Sequence, residues 1–464
     1  MKTFRFDLTA LCASLLVAGC VPAAASDAEA DAVPAAAAPA PAQPVAASEP
    51  AAATSQQTTL IDRADVERIV AALSSDEMRG REAFSEDALR AADFLAGEFA
   101  AAGLETFDDA PGHLQGFDVM AYSMGPARAV IDGRPLTPDR FQVRYGVPSI
   151  RWRTGDAQVI IAGPDDDPNG LAIAVANSGI DALVLIDQVH EEAFRTISQI
   201  FRRPTQRVSG TQGGTVVVAL AQGTEQSTFD ITAASDVLAR PVVNVVGQIP
   251  GRRSDEYVLF SAHYDHLGIV RALQGDSVSN GANDNASGVA AVVSLAKYFF
   301  ARGTPERTLL FAAFTAEEAG GYGSQYYSSR VDPDEIVAMF NIEMIGKPAV
   351  SGPNTAWITG FERSSFGTIL QEAVEGTEYE FYADPYPQLG LFYRSDNARL
   401  AVQGVPAHSI STTPIDVDQN YHMVTDEIET LDLAHLTNTI VAIARGAETI
   451  VSGAATPTRV DPAN

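Results

Sequence analysis

Cysteine is nearly absent from this chain: 464 residues contain two, Cys12 and Cys20, both within the first twenty positions. Everything beyond residue 20 must therefore fold without disulfides and bind any metal without thiolates. Lysine is almost as scarce, occurring only at positions 2, 297 and 347, so arginine supplies nearly all the positive charge. With 31 basic against 59 acidic residues the formal charge is −28. That argues against nucleic acid as a partner, because a phosphate backbone calls for a basic face. The acidic excess fits a solvated surface. No internal repeat is visible. The hydrophobic share of 46 % and the charged share of 19 % are ordinary for a folded soluble protein. At this length the chain exceeds one usual core, so one large domain with an insertion, or two domains, is expected.

The first residues carry Lys2 and Arg5 before an apolar run from Leu8 to Ala18, which reads as a secretory signal and is short for a membrane span. The run ends Leu16-Val17-Ala18-Gly19-Cys20 and resembles the lipobox of bacterial lipoproteins. Lipidation of Cys20 would follow, with residues 1–20 as the signal and export to the periplasmic or cell-surface face of a bacterial membrane. The plainer alternative is cleavage among the alanines near Ala23 to Ala25. Residues 21–56 are dominated by Ala and Pro and are expected to form a disordered tether. Residues 456–464 are expected to form a flexible tail.

From about residue 57 periodic apolar positions begin. Val66, Ile69, Val70 and Leu73 have helical spacing, as do Leu89, Ala92, Phe94, Leu95, Phe99 and Ala102 before Gly103. Tyr257–Ala262, Thr308–Phe314 and Ile336–Ile342 are runs of strand length, and 286–301 and 431–450 read as helices. Buried strands alternating with helices imply an α/β fold, a sheet covered on both faces. Residues 122–240 interrupt this pattern with further strand-like runs (157–162, 182–186, 215–220) and loops rich in Gly, Asp and Pro. They are expected to form a smaller β-rich insert within a main domain spanning 57–455.

Chemistry collects at the strand ends. His263-Tyr264-Asp265-His266-Leu267-Gly268 follows the first run, and Ala316-Glu317-Glu318 follows the second. Phe340-Asn341-Ile342-Glu343 closes the third. Asn283-Asp284-Asn285-Ala286-Ser287-Gly288 precedes a helix, and Tyr421-His422 comes late in the chain. Open α/β sheets bind ligands at the carboxyl edge of their strands, so these loops can converge. Imidazoles and carboxylates without thiolates suit Zn²⁺ or a similar divalent ion. Each residue also has a plain reading: a solvated acidic turn for Glu317-Glu318, a helix N-terminal charge for Asp284, a structural role for a lone histidine. His266, His408 and His435 keep that structural reading.

Together these motifs resemble the M28 metallopeptidase family, of the bacterial zinc aminopeptidase type. Leu73-Ser74-Ser75-Asp76-Glu77-Met78-Arg79-Gly80-Arg81 and Asn244-Val245-Val246-Gly247-Gln248-Ile249-Pro250-Gly251 are also similar to family segments. The likeness covers residues 58–122 and 241–450, and the position of the insert is similar to that of a protease-associated module. The resemblance implies a doubly wound mixed sheet flanked by helices, a di-zinc centre and peptide substrates. It implies that Asp284 bridges two Zn²⁺ ions, with His263 and Glu343 completing one and Glu318 and His422 the other. Asp265 would accept the remaining ring N–H of His263, and Glu317 would be the general base. Tyr421 would steady the oxyanion. Glu343 departs from the aspartate usual at its position and changes the room where a substrate ammonium is held. Arg394-Ser395-Asp396-Asn397 is similar to a substrate-side segment, with asparagine where histidine is common and no role assigned. Phe392 and Tyr393 read as a pocket wall or as packing.

The expected activity is removal of N-terminal residues from peptides. A carboxypeptidase or dipeptidase on the same site, a glutaminyl cyclase, and a non-catalytic binding module are the alternatives. Retention of every ligand position and of Glu317 favours the enzyme.

Overall fold

The computed structural model of the chain describes residues 60–462. The expected signal, the expected lipidation site Cys20 and the expected tether over 21–56 lie outside the described residues.

Four parallel strands form the centre of an eleven-stranded mixed sheet: Arg253–His263, Arg307–Phe314, Ile336–Ile342 and Ala407–Ser411. Every residue of 307–314 is buried, as a strand covered on both sides requires. Its side chains divide by alternation. Leu309, Phe311 and Ala313 face the cluster built on helices Arg63–Leu73, Glu86–Ala101, Gly288–Ala301 and Leu433–Val451. Leu310, Ala312 and Phe314 face a second cluster that includes Tyr327, Leu400 and Ala401. The sheet is thus wrapped by helices on both faces.

Register is what aims the site, because a slip of one residue turns every side chain to the opposite face. Phe260 lies level with Phe311 on one neighbour and Phe340 on the other. Their rings stack at 5.4 Å and 4.9 Å, and Phe299 of the covering helix closes on Phe260 at 5.5 Å. Each such contact adds roughly 0.5–1.5 kcal/mol beyond burial. This row pins the three strands so that His263, Phe314 and Ile342 end near one edge.

The helices begin where the chain supplies caps. Asp62 accepts from the Ala64 amide, Ser85 from Ala88, and Asp432 from Ala434 and His435, each contribution being worth about 1 kcal/mol.

Beyond the central strands, Phe229–Ile249 and Leu114–Ile131 pair antiparallel over almost their full lengths, from Leu114 opposite Val245 to Ile131 opposite Phe229. This ribbon leads to a four-stranded sheet of Phe141–Arg144, Val216–Leu220, Ala182–Ile186 and Gln158–Ala162. The insert expected as β-rich also carries two helices, Pro168–Asn177 and Glu191–Phe201. The second buries Phe194, Ile197 and Phe201 against the sheet. That i, i+3, i+7 spacing is helical and was hidden among polar residues.

The expected flexible tail is a correction: residues 456–462 are tied down. Val460 is buried and donates its N–H to Gly404, Thr458 exchanges hydrogen bonds with Ser365, and Arg459 donates to the carbonyls of Pro333 and Ile336. Polar composition concealed an anchor made by arginine donors and one valine.

Candidate metal centre

The carboxyl edge of the sheet gathers the chemistry. His263 is the last residue of its strand, Glu343 directly follows Ile342, and Glu317 and Glu318 sit in the turn after Phe314. Asp284 lies in the irregular turn Ala282–Ser287 before helix Gly288–Ala301, and its peptide bond to Asn285 is cis. Ala316 and Met344, beside the acidic residues, have φ of 56° and 53°, a left-handed geometry that is uncommon without glycine and clusters at functional sites. At Gly281, φ is 58°, and a Cβ would stand 2.3 Å from the Asp284 carbonyl oxygen. Glycine is required there on both counts.

Asp284 is the hinge of the arrangement. Its Oδ1 lies 3.3 Å from His263 Nε2, and its Oδ2 lies 3.3 Å from His422 Nε2. On the first side, His263 Nε2 is 3.0 Å from Glu343 Oε1. On the second, Glu318 presents Oε2 to His422 at 3.3 Å and Oε1 to His266 Nδ1 at 3.0 Å. In each of the trios His263, Asp284, Glu343 and His266, Asp284, Glu318 the ligand atoms lie within 4.8 Å of one another. The structure therefore brings His263, Asp284, Glu318, Glu343 and His422 together.

His266, given a structural reading from sequence, also touches this cluster, while its Nε2 meets Ser279 Oγ at 3.1 Å. The strand-end position that drew attention to His263 was equally available for His266, three residues on.

Asp265 differs from expectation. The His263 Nδ1 meets the backbone carbonyl of Asp265 at 3.1 Å, and the carboxylate stands off at 3.8 Å. That carboxylate instead accepts the backbone N–H groups of Glu317 (3.0 Å) and Glu318 (3.3 Å). Asp265 thus orients His263 through its main chain and shapes the Glu317-Glu318 turn through its side chain. Two amides in reach outcompete one ring nitrogen.

Several supports were not read from sequence. Ser395 Oγ donates to Glu343 Oε2 at 2.8 Å and itself accepts from Asn341 Nδ2 at 2.9 Å, so one carboxylate oxygen is held and the other points to His263. The Asp284 turn is stitched to the Glu343 turn. Asn285 Oδ1 accepts from Met344, Asn283 Oδ1 from Gly346, and Ser287 Oγ from Ile345. Asp426 accepts from the amides of Asn283 and Asp284. Arg81, fully buried, donates to the carbonyls of Tyr264, Leu73, Asn280 and Gly281, bracing the His263 and Asp284 loops from behind. Asn283, Asn285 and Arg81 stood inside quoted motifs; nothing local marked Asp426.

The carboxylates and imidazoles of the cluster shift one another's protonation. Burial alone would raise Asp284, but hydrogen bonds to His263 and His422 hold it well below the carboxylate range. Glu318 is brought down to about 2 by His266 and His422 against its burial and the Asp284 charge. Against their burial, the imidazoles are pushed up by these carboxylates, His422 to about 10. Glu317 goes the other way, raised well above its usual value by burial and by Asp396, Glu318 and Glu343 against the pull of His263. Among the described residues its carboxylate has no hydrogen-bond or ion-pair partner, and it lines the open pocket. A donor set of oxygens and imidazole nitrogens, rich in carboxylates and lacking thiolates, fits Zn²⁺ chemistry.

The pocket, about 140 Å³, is bounded by His263, Asp284, Glu318, Glu343 and His422 and by Met344, Trp357, Leu389, Leu391 and Ile415. Tyr421 lines it too, its ring stacked on His422 at 3.9 Å between centroids. Phe392 is buried against His408 at 5.4 Å, which is packing.

Known proteins share parts of this chain's sequence and its fold. Residues 244–446 match the sequence model described as peptidase family M28. Leucine aminopeptidase 1 of Ajellomyces dermatitidis is 26 % identical over 258 residues, 52 % of this chain and 65 % of that protein. Leucine aminopeptidase 1 of Blastomyces gilchristii matches with the same identity and coverage. The chain thus spans somewhat under two thirds of these relatives. Among solved structures, BSAP, a zinc aminopeptidase from Bacillus subtilis, superposes with a TM-score of 0.52 at 18 % identity, covering 84 % of this chain and 95 % of that one. An aminopeptidase from Aneurinibacillus gives 0.50 at 18 %, over 85 % and 95 %. At such identities these structures speak to the fold.

Proposed function

We propose that the chain is a zinc-dependent aminopeptidase of peptidase family M28, whose sequence model residues 244–446 match. The observation that carries this reading is Asp284, whose two oxygens face separate histidine-carboxylate groups. His263, Asp284 and Glu343 would hold one ion, and Asp284, Glu318 and His422 the other, with His266 adjoining the second. When bound, the pair supplies Lewis acidity toward the scissile carbonyl and a lowered pKa for the attacking water.

The remaining chemistry belongs to the side chains. Glu317 faces the pocket unpaired and is suited to accept a proton from the attacking water and return it to the leaving amine. Tyr421, which lines the same pocket, would donate to the oxyanion. Met344, Trp357, Leu389, Leu391 and Ile415 form an apolar wall that suits an aliphatic N-terminal side chain, in line with the names of the leucine aminopeptidase relatives. Export as a lipoprotein anchored through Cys20 completes the proposal, tested by labelling with a radioactive fatty acid in the native chain and in Cys20→Ala.

The decisive experiment is Glu317→Gln, with metal content and turnover measured on peptides with free and blocked amino termini. Zinc should stay bound while turnover falls by about 10²–10⁴, the range of general acid–base catalysis. Near wild-type rates would remove Glu317 from its role, and cleavage of amino-blocked peptides would reverse the exopeptidase direction.

A further inference from the structure

Where the insert meets the peptidase unit, four arginines surround one tyrosine. Strand Thr205–Val208 packs against helix Tyr322–Ser328, bringing Arg207 of the inserted region toward Tyr322. Arg240 lies over the Phe84 ring at 3.7 Å from its centroid, and Phe84 is 6.5 Å from the Tyr322 ring. Arg399 donates to the Gly320 carbonyl at 2.9 Å, in the turn that carries Glu317 and Glu318. Arg144, Arg207, Arg240 and Arg399 all act electrostatically on Tyr322. The Arg207 guanidinium lies against Gly213, which in turn lies against Gly146, two residues on from Arg144, and the two arginine charges oppose each other. Each has a buried Nε without a hydrogen-bond partner, and among the described residues neither forms an ion pair.

A chain of charge −28 has carboxylates in abundance, yet among the described residues none is set against this pair. Holding two half-buried guanidinium groups together unpaired is unfavourable, and their planar forks match the oxygens of a carboxylate or phosphate. We propose that Arg144 and Arg207, with Arg399 and Tyr322 as the facing wall, form an anion-binding subsite taking a carboxylate or phosphate group. Its location beside Gly320 puts a bound anion next to the Glu317 turn. The anion is either the free C-terminal carboxylate of a short peptide substrate or a small inorganic anion. Only the first source rests on the aminopeptidase reading.

The test uses the full chain stripped of metal, so that phosphate has no zinc to bind. Titration with inorganic phosphate, followed by calorimetry and by thermal melting, should give saturable binding and a raised Tm. The double variant Arg144→Gln/Arg207→Gln should bind about tenfold more weakly or worse, as loss of charged hydrogen bonds implies. Its Tm without phosphate should match or exceed that of the native chain, because two like charges are gone. With metal restored, paired short peptides ending in a free acid or an amide separate the sources. A carboxylate subsite gives the amide a KM about tenfold higher in the native chain and no difference in the double variant, at unchanged kcat. Equal KM values alongside phosphate binding assign the subsite to a free anion. Phosphate uptake equal in the native chain and the double variant, or absent from both, overturns the proposal, whether or not the chain cleaves peptides.

Discussion

The two sides of Asp284 are built differently. On the His263 side both partners are fixed by a further group: the Asp265 carbonyl holds the ring and Ser395 holds Glu343. His263 itself is 2 % exposed. On the other side His422 comes from an irregular segment, has φ of 59°, and leaves a quarter of its side chain exposed. One half is assembled from the ends of hydrogen-bonded strands, the other is completed by a loop. The first should be organised before metal arrives, and the second should depend more on the metal for its order.

The largest effect expected is from Asp284→Asn, which weakens both halves at once. Bound zinc measured by elemental analysis should fall toward zero and peptidase activity to background. Retention of one tightly held ion would mean that the halves do not share this ligand. Next comes His422→Ala. By the asymmetry above it should cut bound zinc by about half and leave the His263 side loaded. Complete loss of metal would erase the distinction.

Ser395→Ala sharpens the comparison from the opposite side. It frees one oxygen of Glu343 without removing a ligand, and groups that orient ligands typically count for 10–100-fold in metal affinity or activity. The loss should appear in a competitive chelator titration as weakening of one ion, with the other unmoved. A uniform loss would assign Ser395 to general stability.

The smallest effect concerns the strand underneath. His408 is buried, receives the Ser364 hydroxyl on Nε2 and donates from Nδ1 to the Thr359 carbonyl. Burial brings its pKa down to about 4, opposed by that Thr359 bond. An unfolded histidine takes up a proton near pH 6.5 while the folded one stays neutral, so stability present above pH 6.5 declines as pH falls toward 4. The slope from this one group is at most about 1.4 kcal/mol per pH unit. Comparing urea midpoints of the native chain and His408→Gln across that window should show a steeper acid loss in the native chain. Parallel curves would dismiss the contribution.

Much of this was legible in the residues. The runs 308–314 and 336–342 and the helix near 431–450 have apolar patterns dictated by their own burial, and they form within a few residues of the expected limits. The helices of the insert were missed because Pro168–Asn177 is short and apolar almost all round, while Glu191–Phe201 hides its apolar stripe among polar residues. His263, Asp284, Glu317, Glu318 and Glu343 stood out because they lie just after a buried strand or just before a buried helix, where a charged residue has little structural reason to be; His422, in an irregular segment, was marked by its motif alone. His266 sits in the same place, yet it was passed over.

Chain order alone determined which imidazoles and carboxylates were available, since thiols are absent after residue 20 and the alternation of strands and helices sends their loops to one edge. Only the tertiary structure decided which partner each of them meets. Ser395 on Glu343, the Asp265 side chain on two amides, Arg81 behind two loops and the arginines around Tyr322 are contacts between residues dozens to hundreds of positions apart. Such pairings leave no periodic trace in a sequence, because they are selected by strand register and by competition among neighbouring donors once the backbone is in place.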